Sequence, residues 1–146
     1  KGLSDYGAIS IIEGDNPKRR ITTEDTNKWH NGDVEYIQEQ IKIAKQEGQI
    51  AIVLTHHAPL TKGTSHPRND GQLLSQGFST DLQHLMGYPV SVWCFGHTHF
   101  SSDQMSSGTR VISNQLGYIM KHEQNTGFRK SLVVTVSEDG NVTTTE

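Results

Sequence analysis

Long apolar runs are missing from this sequence, and apolar residues are scarce overall. Hydrophobic residues make up 32% of the chain, and the mean hydropathy is -0.59. A membrane-spanning helix requires roughly 18 or more consecutive apolar residues, and no stretch approaches that length. No signal peptide is visible either. The sequence therefore carries no membrane signal, and it has little apolar material to spare for a core.

Cysteine and clustered basic residues are also scarce. Cys94 is the only cysteine, so the chain can form no internal disulfide. This composition fits a reducing compartment, and we favour a cytoplasmic location. The formal net charge is -3, and the longest run of basic residues is the "KRR" at 18–20. These features argue against a nucleic-acid or membrane-surface role that is driven by charge.

The length of 146 residues suggests one domain or part of one. A chain of this size can bury a sizeable core. The first residue is Lys1 rather than Met, so we expect the chain to be processed, trimmed or a fragment.

Helical patterns occupy the first third of the chain and one later segment. A helical region is expected at 21–49, with Thr22 or Thr23 as its N-cap and acidic residues in its first turn. The "NGD" at 31–33 predicts a break that divides this region into two helices. A further short helix is expected at 78–87.

Short apolar runs predict strands, most of them in the second half of the chain. The predicted strands lie at 9–12, 49–55, 90–95, 109–114, 131–137 and 141–146. The runs at 49–55 and 90–95 are nearly continuous, so we expect strands that are buried on both faces. The last two strands are expected to form a hairpin. This succession of helices and strands predicts an α/β fold with a mixed sheet.

Histidines follow both of the strands that are expected to be buried. His56 and His57 come after the first of them, whereas His97 and His99 come after the second. Sites in open α/β sheets gather at the carboxyl ends of the strands, so this placement suits a site. Residues i and i+2 of an extended segment point to the same side. We therefore expect His97 and His99 to face one place, which one of His56 and His57 also reaches.

Two explanations remain open for these histidines. Eight histidines make any single spacing common by chance, so ordinary strand-end histidines that bond backbone or water are one explanation. The other is a metal site, which is favoured by two histidine groups at the ends of two buried strands.

Longer stretches surround these histidines, "VLTHHAP" at 53–59 and "FGHTH" at 95–99. They are similar to the last two signature motifs of the calcineurin-like metallophosphoesterases, a superfamily that includes purple acid phosphatases and many phosphodiesterases. The similarity continues in the expected order through "SDYGAI", "TEDTNKWHNGDVEYI", "HHAPLT", "TSHP", "GFSTDL" and "TRVISNQLGY". It covers nearly the whole chain.

The resemblance implies a two-metal site for phosphoester hydrolysis, built on two divalent or trivalent transition-metal ions. Mn, Fe and Zn remain open, because imidazole ligands suit each of them. By position, His56 and His97 bind one metal and His99 binds the other. His57 matches a position that is not normally a ligand, so it is implied to face the substrate or to support a ligand. The implied fold is a sandwich of two mixed β-sheets flanked by helices.

The earlier motifs of the superfamily are absent from this sequence. They are an Asp-x-His, a Gly-Asp followed by a second Asp, and a Gly-Asn-His, and they supply carboxylate and amide ligands and a histidine proposed as general acid. Gly14-Asp15 and Gly32-Asp33 contain the dipeptide only in predicted turns. Residues 1–146 thus resemble the carboxyl-terminal half of the domain, with no catalytic residue assigned. We expect the amino-terminal half as a missing segment or a separate polypeptide.

The function that the resemblance implies is hydrolysis of phosphate monoesters or diesters, by a phosphatase or phosphodiesterase that is inactive as this chain alone. An alternative is a non-catalytic binding or assembly module that keeps the phosphoesterase fold. A third is a simple domain that binds one metal ion. Upstream sequence separates the first two, since an Asp-x-His and a Gly-Asn-His there favour the enzyme.

The long polar loop at 56–72 adds two candidate contacts to a substrate. His66 can reach over the site, and Arg68 can pair with a phosphate oxygen. The alternative is a solvated polar loop that has no role in binding.

Overall fold

The chain folds as mixed α/β, with few helices and several small sheets, which confirms the predicted class. The computed structural model describes residues 3–118 and 126–146. The chain separates into two compact units, Lys1–Gln40 and Ile41–Glu146. Within the described ranges, no helix combines the length and the apolar character that crossing a membrane requires.

The first unit contains a two-stranded sheet and most of the longest helix. Helix α1 spans Asp5–Ala8, and strand β1 (Ser10–Ile11) pairs in antiparallel with β2 (Arg19–Arg20). The strand predicted at 9–12 is present as β1. Its partner β2 has no counterpart among the predicted strands.

Helix α2 spans Thr23–Gln46 and begins directly after Thr22. The Thr22 hydroxyl accepts a hydrogen bond from the Asp25 backbone N–H at 3.3 Å, and the Asp25 carboxylate accepts one from the Thr22 N–H at 2.8 Å. This reciprocal pair is a capping box, and it confirms Thr22 as the cap. Arg19 also donates to the Asp25 carboxylate and holds the pKa of that carboxyl well below its usual range.

Helix α2 is continuous through 31–33, so the predicted break is wrong. These residues are exposed, and a glycine such as Gly32 in an exposed helix interior costs only about 1 kcal/mol relative to alanine. The hydrogen bonds of the flanking turns outweigh that cost. Just past the end of the helix, Gly48 adopts φ 67, and the Gln49 N–H donates to the Ala44 carbonyl at 2.8 Å. This is the arrangement of a Schellman motif.

A four-stranded mixed sheet forms the centre of the second unit. Its strands are β3 (Ala51–Leu54), β4 (Val90–Cys94), β5 (Ser102–Ser106) and β6 (Thr109–Ser113). They lie in the order β3-β4-β6-β5, with β4 parallel to both β3 and β6 and with β5 antiparallel to β6. The last strands, β7 (Val133–Val136) and β8 (Val142–Thr145), form the predicted hairpin. The mixed sheet is confirmed, and β5 is an addition to the predicted strands.

Burial in this sheet centres on β4. The Trp93 side chain is 0% exposed, and its neighbours Val92 and Val111 are buried almost completely. β3 differs, because Ile52 is 54% and Leu54 is 74% exposed. The expectation of burial on both faces is therefore right for β4 and wrong for β3. Ile52 and Leu54 are residues i and i+2 of the strand and share one face, and the described residues leave that face of β3 largely uncovered.

The helix predicted at 78–87 is wrong, and a single 3-10 turn at Gln83–Leu85 stands in its place. The Ala58 N–H donates to the Phe78 carbonyl at 3.0 Å, and the Thr80 N–H donates to the Ala58 carbonyl at 3.0 Å. These bonds join the segment to the chain after β3, so its backbone groups cannot bond within a helix. Two more 3-10 turns, at Pro67–Asn69 and Leu73–Gly77, lie in the polar connection from β3 to β4.

A bidentate ion pair joins the hairpin to the mixed sheet. Arg110 on β6 donates to both oxygens of the Asp103 carboxylate on β5, at 2.7 and 2.8 Å. The same guanidinium donates to the Thr144 hydroxyl on β8 at 3.0 Å. Its proximity lowers the pKa of Asp103, because the charged carboxylate accepts its hydrogen bonds. The pair therefore ties three strands together.

Candidate metal centre

The two histidine loops begin at neighbouring strand ends. β3 and β4 are parallel, so their carboxyl ends meet at one edge of the sheet. The Thr55 N–H donates to the Cys94 carbonyl at 3.0 Å, which continues the pairing beyond β3. The Gly96 N–H then donates to the His56 carbonyl at 3.0 Å. Backbone hydrogen bonds thus hold the two loops side by side.

The first loop is anchored to the core by a side-chain relay. The buried Trp93 indole N–H donates to the Thr55 hydroxyl at 3.0 Å, and that hydroxyl donates to the His57 carbonyl at 2.7 Å. The Thr55 oxygen satisfies the indole, which is otherwise a buried donor without a partner. Burial of the indole in the core therefore fixes the position of the turn at His56 and His57.

Three imidazoles come together at this edge. The His56 Nε2 and His97 Nδ1 atoms lie 2.8 Å apart. The His57 ring centroid lies 4.7 Å from that of His97 and 5.1 Å from that of His56. The potential ligand atoms of the three residues all lie within 4.8 Å of one another, and the three residues are exposed. Phe78 stacks on the His97 ring with a centroid distance of 5.9 Å.

This donor set fits a transition-metal ion. Imidazole nitrogens bind zinc at about 2.0–2.1 Å, so two of them on one ion lie roughly 3.0–3.4 Å apart, depending on the geometry. The His56 and His97 nitrogens need to separate by less than about 1 Å to reach that spacing. Their side chains are exposed, so little packing opposes the movement. Metal ions bind the neutral form of imidazole, so the affinity of a site built from histidines depends on pH.

His56 and His57 both lie beside His97, although we expected one of them to face away. The chain bends at these two residues rather than continuing as an extended strand. The alternation of side chains that applies to a strand is therefore lost, and consecutive imidazoles converge.

His99 is not gathered into this cluster. His97 and His99 adopt φ 67 and φ 50, so the segment is not extended and the predicted i, i+2 alignment does not apply. The His99 ring instead meets Tyr118 edge to face, with a centroid distance of 4.4 Å. Left-handed backbone at residues other than glycine costs roughly 1–3 kcal/mol and is concentrated at functional sites. Two such residues in one short loop point to a constrained site rather than an ordinary strand end.

Gln115 holds this strained loop, and the sequence analysis missed it. Its side-chain oxygen accepts a hydrogen bond from the His99 backbone N–H at 2.8 Å. Its side-chain nitrogen donates to the Thr98 hydroxyl at 2.9 Å and to the Phe100 carbonyl at 3.1 Å. Gln115 follows β6, which is parallel to β4. The rule that sites gather at the carboxyl ends of parallel strands, applied to a third strand, would have found it.

Replacing Gln115 by alanine is expected to weaken zinc binding about tenfold, since partners that orient ligands typically contribute 10- to 100-fold. The change removes the three hydrogen bonds that fix residues 98–100, so His97 loses its defined position. Competition with a chromophoric chelator measures the affinity. Gln76→Ala, at an exposed position on the Leu73–Gly77 turn, is the matched control. Equal affinity of the two variants would exclude a positioning role for Gln115.

His66 and Arg68 lie in the connection between β3 and β4, and His66 is not among the three clustered histidines. The His66 Nδ1 atom accepts a hydrogen bond from the Arg68 backbone N–H at 3.2 Å and begins the Pro67–Asn69 turn. The His66 ring faces Phe100 at a centroid distance of 6.1 Å. Both side chains are exposed. Their contact with a substrate stays a prediction.

Comparison with known proteins gives one informative relative. The chain is 36% identical over 131 residues to the uncharacterized protein L509 of Acanthamoeba polyphaga mimivirus. The match covers 86% of this chain and 45% of that protein, so the chain spans less than half the length of this relative. No family model matches the chain, and no solved structure matches it. The name of the relative states no activity, so the function has to be argued from the site.

Proposed function

We propose that this chain is the carboxyl-terminal part of a metallophosphoesterase, in which His56 and His97 bind one of two transition-metal ions. The observation that carries the proposal is the pair of imidazole nitrogens, 2.8 Å apart at the adjoining ends of two parallel strands. His99, on the same loop as His97, is the ligand proposed for the second ion. Mn, Fe and Zn are the candidate metals, because each accepts imidazole ligands.

The residues of the chain have separate tasks in this site. His56 and His97 hold their ion, and Phe78, stacked on His97, restricts the rotation of that ring. Gln115 sets the backbone of the loop, and the guanidinium of Arg68 is proposed to pair with a phosphate oxygen. When bound, the pair of ions supplies Lewis-acid activation of the phosphate ester and of water.

The site needs ligands from outside this chain. In the described ranges, no carboxylate joins the three histidines, whereas a two-metal phosphoesterase site uses carboxylates to bridge and neutralise its ions. An amino-terminal half is therefore part of the proposal, either as a preceding segment or as a separate polypeptide. It supplies those ligands and the second sheet of the proposed sandwich.

The exposed side of β3 supports this partner. Ile52 and Leu54 present apolar side chains to solvent. An uncovered edge strand with apolar side chains is a liability for aggregation. In the proposed fold the amino-terminal half covers this side of the sheet. It thereby removes the apolar surface of Ile52 and Leu54 from water.

The test of the proposal is hydrolysis by the longest open reading frame that contains this chain. The protein is assayed with p-nitrophenyl phosphate and bis(p-nitrophenyl) phosphate in the presence of Mn²⁺, Fe²⁺ or Zn²⁺. We expect hydrolysis of at least one ester, and a loss of about 100-fold or more in kcat for His97→Ala, since removal of a ligand disrupts the metal site. His84→Ala, which removes an exposed imidazole on the Gln83–Leu85 turn, is the matched control.

Two results would contradict the proposal. An open reading frame without the Asp-x-His and Gly-Asn-His motifs, together with the absence of a separate polypeptide that carries them and binds this chain, would remove the source of the carboxylate and amide ligands. Absence of hydrolysis with every ester and metal, in a protein that binds metal, would favour the non-catalytic binding or assembly module instead.

A further inference from the structure

His57 lies as close to the centre of the histidine cluster as the two proposed ligands. Its ring centroid is 4.7 Å from that of His97, and the His56 ring centroid is 4.8 Å from the same ring. We infer that His57 is a third ligand, so that this chain by itself binds one metal ion on three imidazoles. The inference rests on the proposed function for the roles of His56 and His97. It adds His57 as a third ligand and specifies one metal ion per chain.

The backbone explains how consecutive residues can serve one ion. The His56 carbonyl accepts the Gly96 N–H, and the His57 carbonyl accepts the Thr55 hydroxyl. Both peptide groups are thereby fixed in a bend. The following residue, Ala58, is buried and bonds to the Phe78 carbonyl. The turn is therefore held on both sides, and its two side chains are directed to the same edge of the sheet as His97.

Ring orientation also suits a shared ion. The His97 ring plane is inclined by 85° to that of His56 and by 83° to that of His57. Ligand atoms within 4.8 Å of one another must contract to roughly 3.4 Å for a tetrahedral ion. Rotation of exposed side chains about their χ angles covers this distance without repacking of the core.

Three neutral imidazoles leave a divalent ion with its full charge and, in a tetrahedral site, one open position. This arrangement differs from the pair of ions expected of the complete site. It means that the carboxyl-terminal half takes up one ion before the amino-terminal half contributes any ligand. The structure thus places the first metal-binding step of the site within residues 56–97.

The test is a zinc titration of this chain, in competition with a chromophoric chelator, for wild type and for His56→Ala, His57→Ala, His97→Ala and His84→Ala. We expect one zinc ion per wild-type chain, and an affinity loss of about 100-fold or more for each of the first three variants, since three ligands share the ion. His84→Ala is expected to bind as the wild type does. Co²⁺ provides a second readout, because its visible absorption reports the number of nitrogen ligands.

Spectroscopy distinguishes the loss of a metal ligand from the misfolding of a variant. In the wild-type chain, zinc is expected to shift the ring nitrogen resonances of His57 together with those of His56 and His97. His57→Gln keeps a polar side chain in the turn and is expected to lose zinc affinity as His57→Ala does. Near-UV circular dichroism reports whether each variant retains the packing of Trp93.

The outcomes separate the two proposals. Wild-type zinc affinity in both His57 variants, together with loss of binding in His56→Ala and His97→Ala, would overturn the third ligand and leave the proposed phosphoesterase site in place. A wild-type chain that binds no zinc and no cobalt would also overturn the third ligand, whereas the proposed phosphoesterase, whose amino-terminal half supplies further ligands, is decided by the hydrolysis assay.

Discussion

His97→Ala is expected to abolish metal binding by this chain, with an affinity loss of about 1000-fold or more, which is the largest effect among the ligand variants. The His97 ring lies nearer to each of the other two imidazoles, at centroid distances of 4.8 Å to His56 and 4.7 Å to His57, than those two lie to each other, at 5.1 Å. Its removal leaves two consecutive histidines without a ligand from the loop that follows β4. Isothermal titration with Zn²⁺ measures the loss.

The same variant distinguishes binding from stability. His97 is exposed, so the unfolding midpoint of the metal-free chain is expected to change little. Its φ of 67 favours glycine, which has no Cβ, and His97→Gly tests whether the left-handed backbone matters apart from the ring. Zinc binding by either variant with the affinity of the wild type would remove His97 from the site.

Trp93→Ala is expected to destabilise the second unit by about 3–5 kcal/mol, the usual cost of removing a large aromatic side chain from a core. Trp93 is 0% exposed on the central strand β4. The change creates a cavity beside Val111, the register partner of Trp93 on β6, and it leaves the Thr55 hydroxyl without its indole donor. Because small domains have a total stability of about 5–15 kcal/mol, the loss brings this unit close to unfolding. Urea denaturation followed by far-UV circular dichroism measures it.

Trp93→Phe is the matched variant, since it keeps an aromatic ring and removes the indole N–H. Its cost is expected to be smaller, and it includes the roughly 1 kcal/mol of a lost hydrogen bond. Because Thr55 then loses one of the two bonds that hold the His57 turn, zinc affinity is expected to fall as well. A stable Trp93→Ala chain, with an unfolding midpoint equal to that of the wild type, would contradict the central place of Trp93 in the core.

Much of the secondary structure could be predicted because its causes are local. Short runs rich in β-branched and apolar residues specify the strands from β3 to β8, with the exception of β5, whose residues are mainly polar and not β-branched. The cap at Thr22 follows from the preference of a hydroxyl for the free N–H groups at a helix start. The hairpin of β7 and β8 follows from two strands close together in sequence with a turn between them.

The errors in the fold arose where tertiary contacts or neighbours in the sheet decide. The segment at 78–87 has a helical pattern, yet its backbone forms hydrogen bonds with Ala58, which is distant in sequence. The run at 49–55 has the composition of a strand buried on both faces, yet in the described residues one face of β3 is left uncovered and Leu54 on it is exposed. Composition describes what a strand can pack against, but only the arrangement of strands determines what is there.

The candidate site likewise depends partly on the local sequence and partly on the tertiary structure. The sequence by itself determined that His56, His57, His97 and His99 follow two strands, and parallel pairing then brings their loops to one edge of the sheet. The tertiary structure decided which imidazoles meet. A bend after Thr55 turns both His56 and His57 toward His97, and left-handed backbone takes His99 to Tyr118 instead. The physical reason is that side-chain direction depends on backbone dihedral angles. In these loops those angles are held by long-range hydrogen bonds from Trp93, Gly96 and Gln115, which no local pattern encodes.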